Sequence, residues 1–241
     1  MRALPRACYV SRGMIGAPDG LAAIPPSGIL VPRGRRAMNI RFHNGDLPDD
    51  ADFGDCVAID TETLGLVPHR DRLCVVQLSR GDGSADVVQI GSGQARAKNI
   101  ERLLADPKVT KLFHYARFDV AVLFKAFGVM AAPIYCTKIA SRLARTYTDR
   151  HGLKDLVREL LGVELSKQQQ STDWGDATLS EAQLSYAASD VLYLHALRIR
   201  LDAILRRENR FEIAAACFDF VPARARLDLM GWADADIFSH Q

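Results

Sequence analysis

Three short runs rich in β-branched residues follow one another closely: CVAIDTE (56–62), LCVVQLS (73–79) and ADVVQI (85–90). With turns such as Gly81-Asp82-Gly83 between them, they read as a three-strand meander. Strand and helix signals then alternate. ARAKNIERLLAD (95–106) is helical and stopped by Pro107, VTKLFHY (109–115) is strand-like, and RFDVAVLFKAFGV (117–129) is a helix ending at Gly128. IYCTK reads as a short strand, IASRLAR as a helix, and GLKDLVRELLG (152–162) as an amphipathic helix bounded by glycines. Ser180 is placed to cap a long helix beginning at Glu181, whose length predicts a bend. Strands first and mixed units later predict one α/β domain around a mixed central sheet flanked by helices.

The first run raises a chemical question. In an extended strand residues i and i+2 share a face, so Asp60 and Glu62 point the same way and sit close together. Two like charges that close repel unless a cation lies between them. The pair is therefore either a solvated strand end or half of a divalent-metal site. Two later features bear on the choice. Asp119 falls in the first turn of an otherwise apolar helix, where capping alone accounts for an acid. Tyr186 and Asp190 are four apart, on one face of an apolar helix, where a carboxylate needs a partner, be it an arginine or a metal.

Composition narrows the class. Hydrophobic residues are 48% and charged residues 25% of the 241, with a net charge of +2, so any nucleic-acid-binding surface must be local. The five cysteines are scattered, odd in number and form no C-x-x-C pair, which indicates neither a zinc knuckle nor a disulfide framework and fits a reduced, cytoplasmic setting. No apolar stretch approaches the length of a membrane span. Residues 1–37 carry six arginines against the single acid Asp19, with five prolines, and read as a disordered leader or as a mis-assigned start before Met38.

Taken in order, an Asp-x-Glu on a first strand, an Asp on a middle helix and a Tyr-x-x-x-Asp on a late helix resemble the DEDD superfamily of 3′–5′ exonucleases. The tyrosine places the resemblance in the ribonuclease D-like subgroup. The stretches DTETLGLVPHRDRLCVVQLSRGDGSADVVQI, CTKIASRLARTYTDRHGLKDL, LSKQQQSTDW and YAASDVLYLHAL are similar to small bacterial nano-ribonucleases of the NrnC type, from Met38 to the C-terminus. The resemblance implies a ribonuclease H-like exonuclease fold over 38–210. It implies a 3′–5′ exoribonuclease that hydrolyses very short RNA, dinucleotides included, to nucleoside monophosphates. Asp60, Glu62, Asp119 and Asp190 are then ligands of two divalent cations. All-oxygen donors suit Mg²⁺ or Mn²⁺ rather than zinc. Tyr186 orients the attacking water, Leu66 wedges between bases, and Thr63, His114 and Arg117 are expected to contact the substrate. Arg145, Arg150, His151 and SKQQQ (166–170) are either solvated loop or reach toward the substrate's 5′ end. The apolar tail 211–241 either packs on its own domain or meets another copy, the family forming homo-oligomeric rings such as octamers. Rival readings are a ribonuclease D-like enzyme on longer RNA (tRNA 3′ processing) or DNA, and an inactive binding scaffold.

Overall fold

The computed structural model describes residues 38–165 and 172–240; the expectations for residues 1–37 and for the loop 166–170 lie outside these. Six strands form one mixed sheet: β1 (Asn39–Asn44), β2 (Cys56–Thr63), β3 (Leu73–Ser79), β4 (Ser84–Gln89), β5 (Thr110–Phe113) and β6 (Ile134–Cys136), in the order β1-β4-β3-β2-β5-β6. The meander β2-β3-β4 is antiparallel, as its closely spaced turns require, whereas β5 and β6 run parallel to β2. β1 adds to the edge in parallel with β4. The sequence reading placed no strand there. NIRFHN alternates apolar and polar residues but is short, and its ladder partner lies 45 residues on in β4, where Asp86 accepts from Arg41 and bonds His43.

The helices are α1 (Lys98–Ala105), α2 (Ala116–Phe127), α3 (Thr137–Ala144), α4 (Leu153–Leu161), α5 (Glu181–Leu192), α6 (Leu194–Arg207) and α7 (Phe211–Leu227). Several bounds move inward from the expected ones. The helix expected from 95 starts at Lys98, because Gln94 and Arg96 are engaged in bonds to Gly45 and Glu101. Thr137 and Lys138, read as strand, open α3 instead. The long helix expected from Glu181 does bend: Ser180 caps α5 through a reciprocal capping box with Gln183, and the chain breaks step at Tyr193 before α6.

The two faces of the sheet bury different sets. Val76, Leu78 and Val88 join the main core with Ile100, Leu104, Val120 and Leu123, while Val75 and Val87 meet Trp174, Leu179 and Ala187 in a smaller cluster. The tail is no loose appendage. Ala214, Phe218, Val221 and Ala225 of α7 belong to the main core, and the Phe218 ring lies 4.5 Å from that of Tyr135. Because β2, β5 and β6 are parallel, their C-terminal ends share one end of the sheet, and the acid cluster is built there.

Candidate active site

β2 delivers Asp60 and Glu62 to one face, opposite Gln77 and Val75 of β3. Thr61 between them points the other way, and its hydroxyl donates to Asp119 Oδ1 at 2.7 Å. Asp119 arrives on the first turn of α2, just after β5, where Tyr115 takes the left-handed conformation (φ 72°) so that the chain can turn from strand into helix. α5 carries Asp190 and Tyr186 one turn apart. Oxygens of Asp60, Glu62 and Asp190 lie within 4.8 Å of one another. The structure thus brings together all five residues expected to carry the chemistry, with Asp119 joined through Thr61 and by its effect on Asp60 and Glu62.

The electrostatics are unbalanced. Burial pushes the Asp60 carboxyl well above the usual range, and repulsion from Asp119, Asp190 and Glu62 adds to it. Glu62 is pushed up to about 8 by burial and by Asp190 and Asp119. Burial also raises Asp119 to about 7 against the pull of the Thr61 hydroxyl, and Asp190 to about 7 against the hydrogen bond from Tyr186. No basic side chain among the described residues offsets any of the four. The side-chain donor on Asp60 is Gln77 Nε2 at a long 3.4 Å, and Gln77 Oε1 is buried without a partner. Four clustered carboxylates with oxygen donors alone, short of protein cations, fit a hard divalent cation.

The loop after β2 forms the rim. Asp71 accepts from Val67 N at 2.9 Å, and the Thr63 hydroxyl donates to Gly65 O. A Cβ at Gly65 would meet Asp71 Oδ2 at 2.3 Å, so only glycine fits that approach. The tight loop holds Leu66 out, 85% exposed, with Leu64 half-exposed beside it. His114 is turned inward: its Nδ1 pairs with the Thr137 hydroxyl at 2.9 Å, and burial drops its pKa to about 3, helped by Lys138. Arg117 is bound to Asp228 at 2.7 and 2.8 Å. Arg145, read as loop material, is fully buried and engaged by Glu159, Ser141 and Arg150 O, so it braces the fold instead of reaching outward. His151 Nδ1 pairs with Ser141 Oγ at 2.9 Å.

Sequence reasoning missed the supports. Thr61 was visible between the two acids, and period-two alternation predicts that it faces away from them. Trp174, in the STDW stretch, packs its buried ring 6.1 Å from that of Tyr186. Asp228 shows only an i,i+4 spacing to Arg224, which gives no hint of Arg117.

Residues 46–206 match the 3′–5′ exonuclease family model. The solved structure of Brucella melitensis NrnC with bound Mg²⁺ is 60% identical, with a TM-score of 0.82 over 85% of this chain and 100% of that one. The same protein bound to pGG is 61% identical with a TM-score of 0.83, again over 85% and 100%. Ribonuclease D of Acidiphilium cryptum is 36% identical over 162 residues, 66% of this chain; the chain spans about 40% of the length of that relative. Escherichia coli RNase D, 26% identical, superposes with a TM-score of 0.65 over 72% of this chain and 45% of its own. Since that family model matches well over half of the chain, the chain belongs to the 3′–5′ exonuclease family.

Proposed function

We propose that this exonuclease hydrolyses very short RNA, dinucleotides above all, from the 3′ end to nucleoside 5′-monophosphates. Asp60, Glu62, Asp119 and Asp190 hold two divalent cations, Mg²⁺ or Mn²⁺. When bound, such a pair supplies Lewis acidity on both sides of an in-line displacement. The chain's own residues do the rest. Tyr186, its hydroxyl bonded to Asp190 and its ring seated on Trp174, is held to orient a water toward the phosphorus. Burial, with Asp190, Glu62 and Asp60 nearby, raises the pKa of the phenol, which favours an orienting role over that of the base. Leu66 offers an apolar surface on which a base stacks without regard to sequence, and Thr63 lines the same loop.

The observation that carries this reading is the cation-poor acid cluster beside an exposed leucine on a loop tied in place by Asp71. The pGG complex of a 61% identical protein supports the short substrate. Local basic surface at a net charge of +2 offers few phosphate contacts, which disfavours a firm grip on long strands. The exposed apolar residues Ile213, Met230, Trp232 and Phe238 support contact with a second copy in a ring. Among the described residues no helix is long and apolar enough to cross a membrane.

The test is a product time course on labelled two-, five- and twenty-nucleotide RNAs with Mn²⁺, Mg²⁺ or EDTA. We expect no turnover in EDTA and a higher kcat/KM on the two-nucleotide RNA than on the twenty-nucleotide one. Equal or faster cleavage of the long RNA moves the protein to a ribonuclease D-like role. Full activity in chelator removes the metal model.

A further inference from the structure

Arg117 lies in the first turn of α2, two residues before Asp119. Its Nε donates to Asp228 Oδ2 at 2.8 Å, and its Nη2 to Asp228 Oδ1 at 2.7 Å and to Ala233 O at 3.0 Å. The partner is 111 residues away in sequence, just past the end of α7. Asp228 is buried at 7% exposure and takes a second guanidinium: Arg224 Nη2 stands 2.9 Å from Oδ1. Arg224 also donates to the carbonyls of Trp232, Ala233 and Ala235. Those carbonyls can turn back on Arg224 because Gly231 takes a φ of 101°, which a side chain would resist. One carboxylate therefore ties three things together: the first turn of α2, the end of α7, and the reversed segment 232–235.

The consequence falls on Asp119. A bidentate guanidinium–carboxylate fork fixes orientation as well as distance. Asp119 itself has only the Thr61 hydroxyl as a side-chain partner among the described residues, so the position of its carboxylate depends on where the turn of α2 is held. We propose that Asp228 and Arg117 are positioning residues. Through them the C-terminal segment locks the first turn of α2 so that Asp119 completes the acid cluster, and Arg117 acts through that turn and not on the substrate. The inference rests on the four-acid site but not on the preferred RNA length.

The test is a double-mutant cycle with Asp228→Asn and Arg117→Gln, assayed on two-nucleotide RNA, or on whichever RNA wild type cleaves best. A displacement of about an ångström at a reacting group costs on the order of 10²-fold, so a loosened turn is expected to lower kcat roughly tenfold or more. KM should stay within about twofold, and the double variant should be no worse than either single one. Calorimetric titration of the RNA-free protein with Mn²⁺ should show weaker binding in each variant and normal binding in Leu66→Ala. The conservative Arg117→Lys, which keeps the charge but loses the fork, should remain impaired. A raised KM confined to Arg117→Gln, with Asp228→Asn silent, makes Arg117 a substrate contact and overturns the proposal. A lower Tm with unchanged kcat and unchanged Mn²⁺ binding makes the pair merely structural and overturns it equally. Should the double variant fail to fold, Asp228→Asn alone decides by its kcat, KM and Mn²⁺ titration. Failure of the acid site itself shows separately, as activity retained in Asp60→Asn.

Discussion

Two carboxylates on the same sheet meet opposite fates. On β4, burial pushes Asp86 up, but hydrogen bonds and charge from Arg41 and His43 outweigh it and hold the carboxyl below its ordinary 3.8. On β2, burial pushes Asp60 up and every charged neighbour pushes it further. Asp86 is a closed unit, its side chain 6% exposed beneath Arg41 at 2.6 Å. Asp60, Glu62 and Asp190 keep partial exposure and share no protein cation among the described residues. The fold is able to neutralise a buried acid from within. Where it leaves several uncompensated at one end of the sheet, the arrangement fits a divalent cation, and that separates a candidate site from a brace.

The sharpest way to break this comparison is to neutralise one acid on each side. Asp60→Asn should abolish turnover, by at least about 10³-fold as expected when a main electrostatic element of the transition state is lost. Its thermal stability in EDTA should equal or exceed that of wild type, because an amide relieves the repulsion. Single-turnover assays and thermal melts check both halves, and near-normal catalysis would refute the assignment. Tyr186→Phe keeps the ring on Trp174 and removes the hydroxyl. We expect a rate loss of about 10²-fold or more with KM little changed; an intact rate would make Tyr186 a packing residue.

Asp86→Asn is the counterpart. It should leave kcat within about twofold and cost roughly 2 kcal/mol of stability. That is less than breaking a fully buried pair, because Arg41 is partly exposed and is free to turn to water. Urea denaturation beside a kinetic assay measures it. An active-site phenotype there would erase the distinction between the two regions.

The smallest effect is the pH dependence of the metal-free protein, and its sign differs between the two acids. Groups raised in the folded state, such as Glu62 to about 8 and Asp119 and Asp190 to about 7, bind more protons folded than unfolded. Their contribution is complete below the unfolded carboxylate range and is lost as pH climbs through about 7–8. Asp86, lowered from 3.8, contributes above that value and loses its share as pH falls through its folded value. In EDTA the Tm should therefore drop by several degrees between pH 5 and pH 8, at about 2–4 °C per kcal/mol for a chain of this size. Mg²⁺ should flatten the slope, and so should Asp60→Asn. A flat profile in EDTA would show that the acids are not in conflict.

Much of this was legible in the chain. β-Branched runs between turns gave β2, β3 and β4 with their meander order, glycines bounded α2 and α4, Pro107 stopped α1, and Ser180 announced α5, since each signal depends on residues a few positions apart. The five proposed site residues were named through the resemblance that Asp-x-Glu, an acid in a helix's first turn and Tyr-x-x-x-Asp carry in that order, and the structure brings them near one another. Other features depended on partners far along the chain. β1 pairs with β4, where Arg41 and His43 both bond Asp86 across the ladder. His114 turns inward to Thr137, Arg145 is buried on Glu159, and Arg117 belongs to Asp228, although all three sat beside the motifs and looked like free hands for a substrate. The sequence by itself determined which acids exist and which face of its own element each occupies, since strand and helix periods are local geometry. Local spacing reaches only pairs three or four apart on a helix, such as Arg224 and Asp228; only the tertiary structure decided the long-range cancellations at Asp86 and between Arg117 and Asp228, because packing alone brings such groups together.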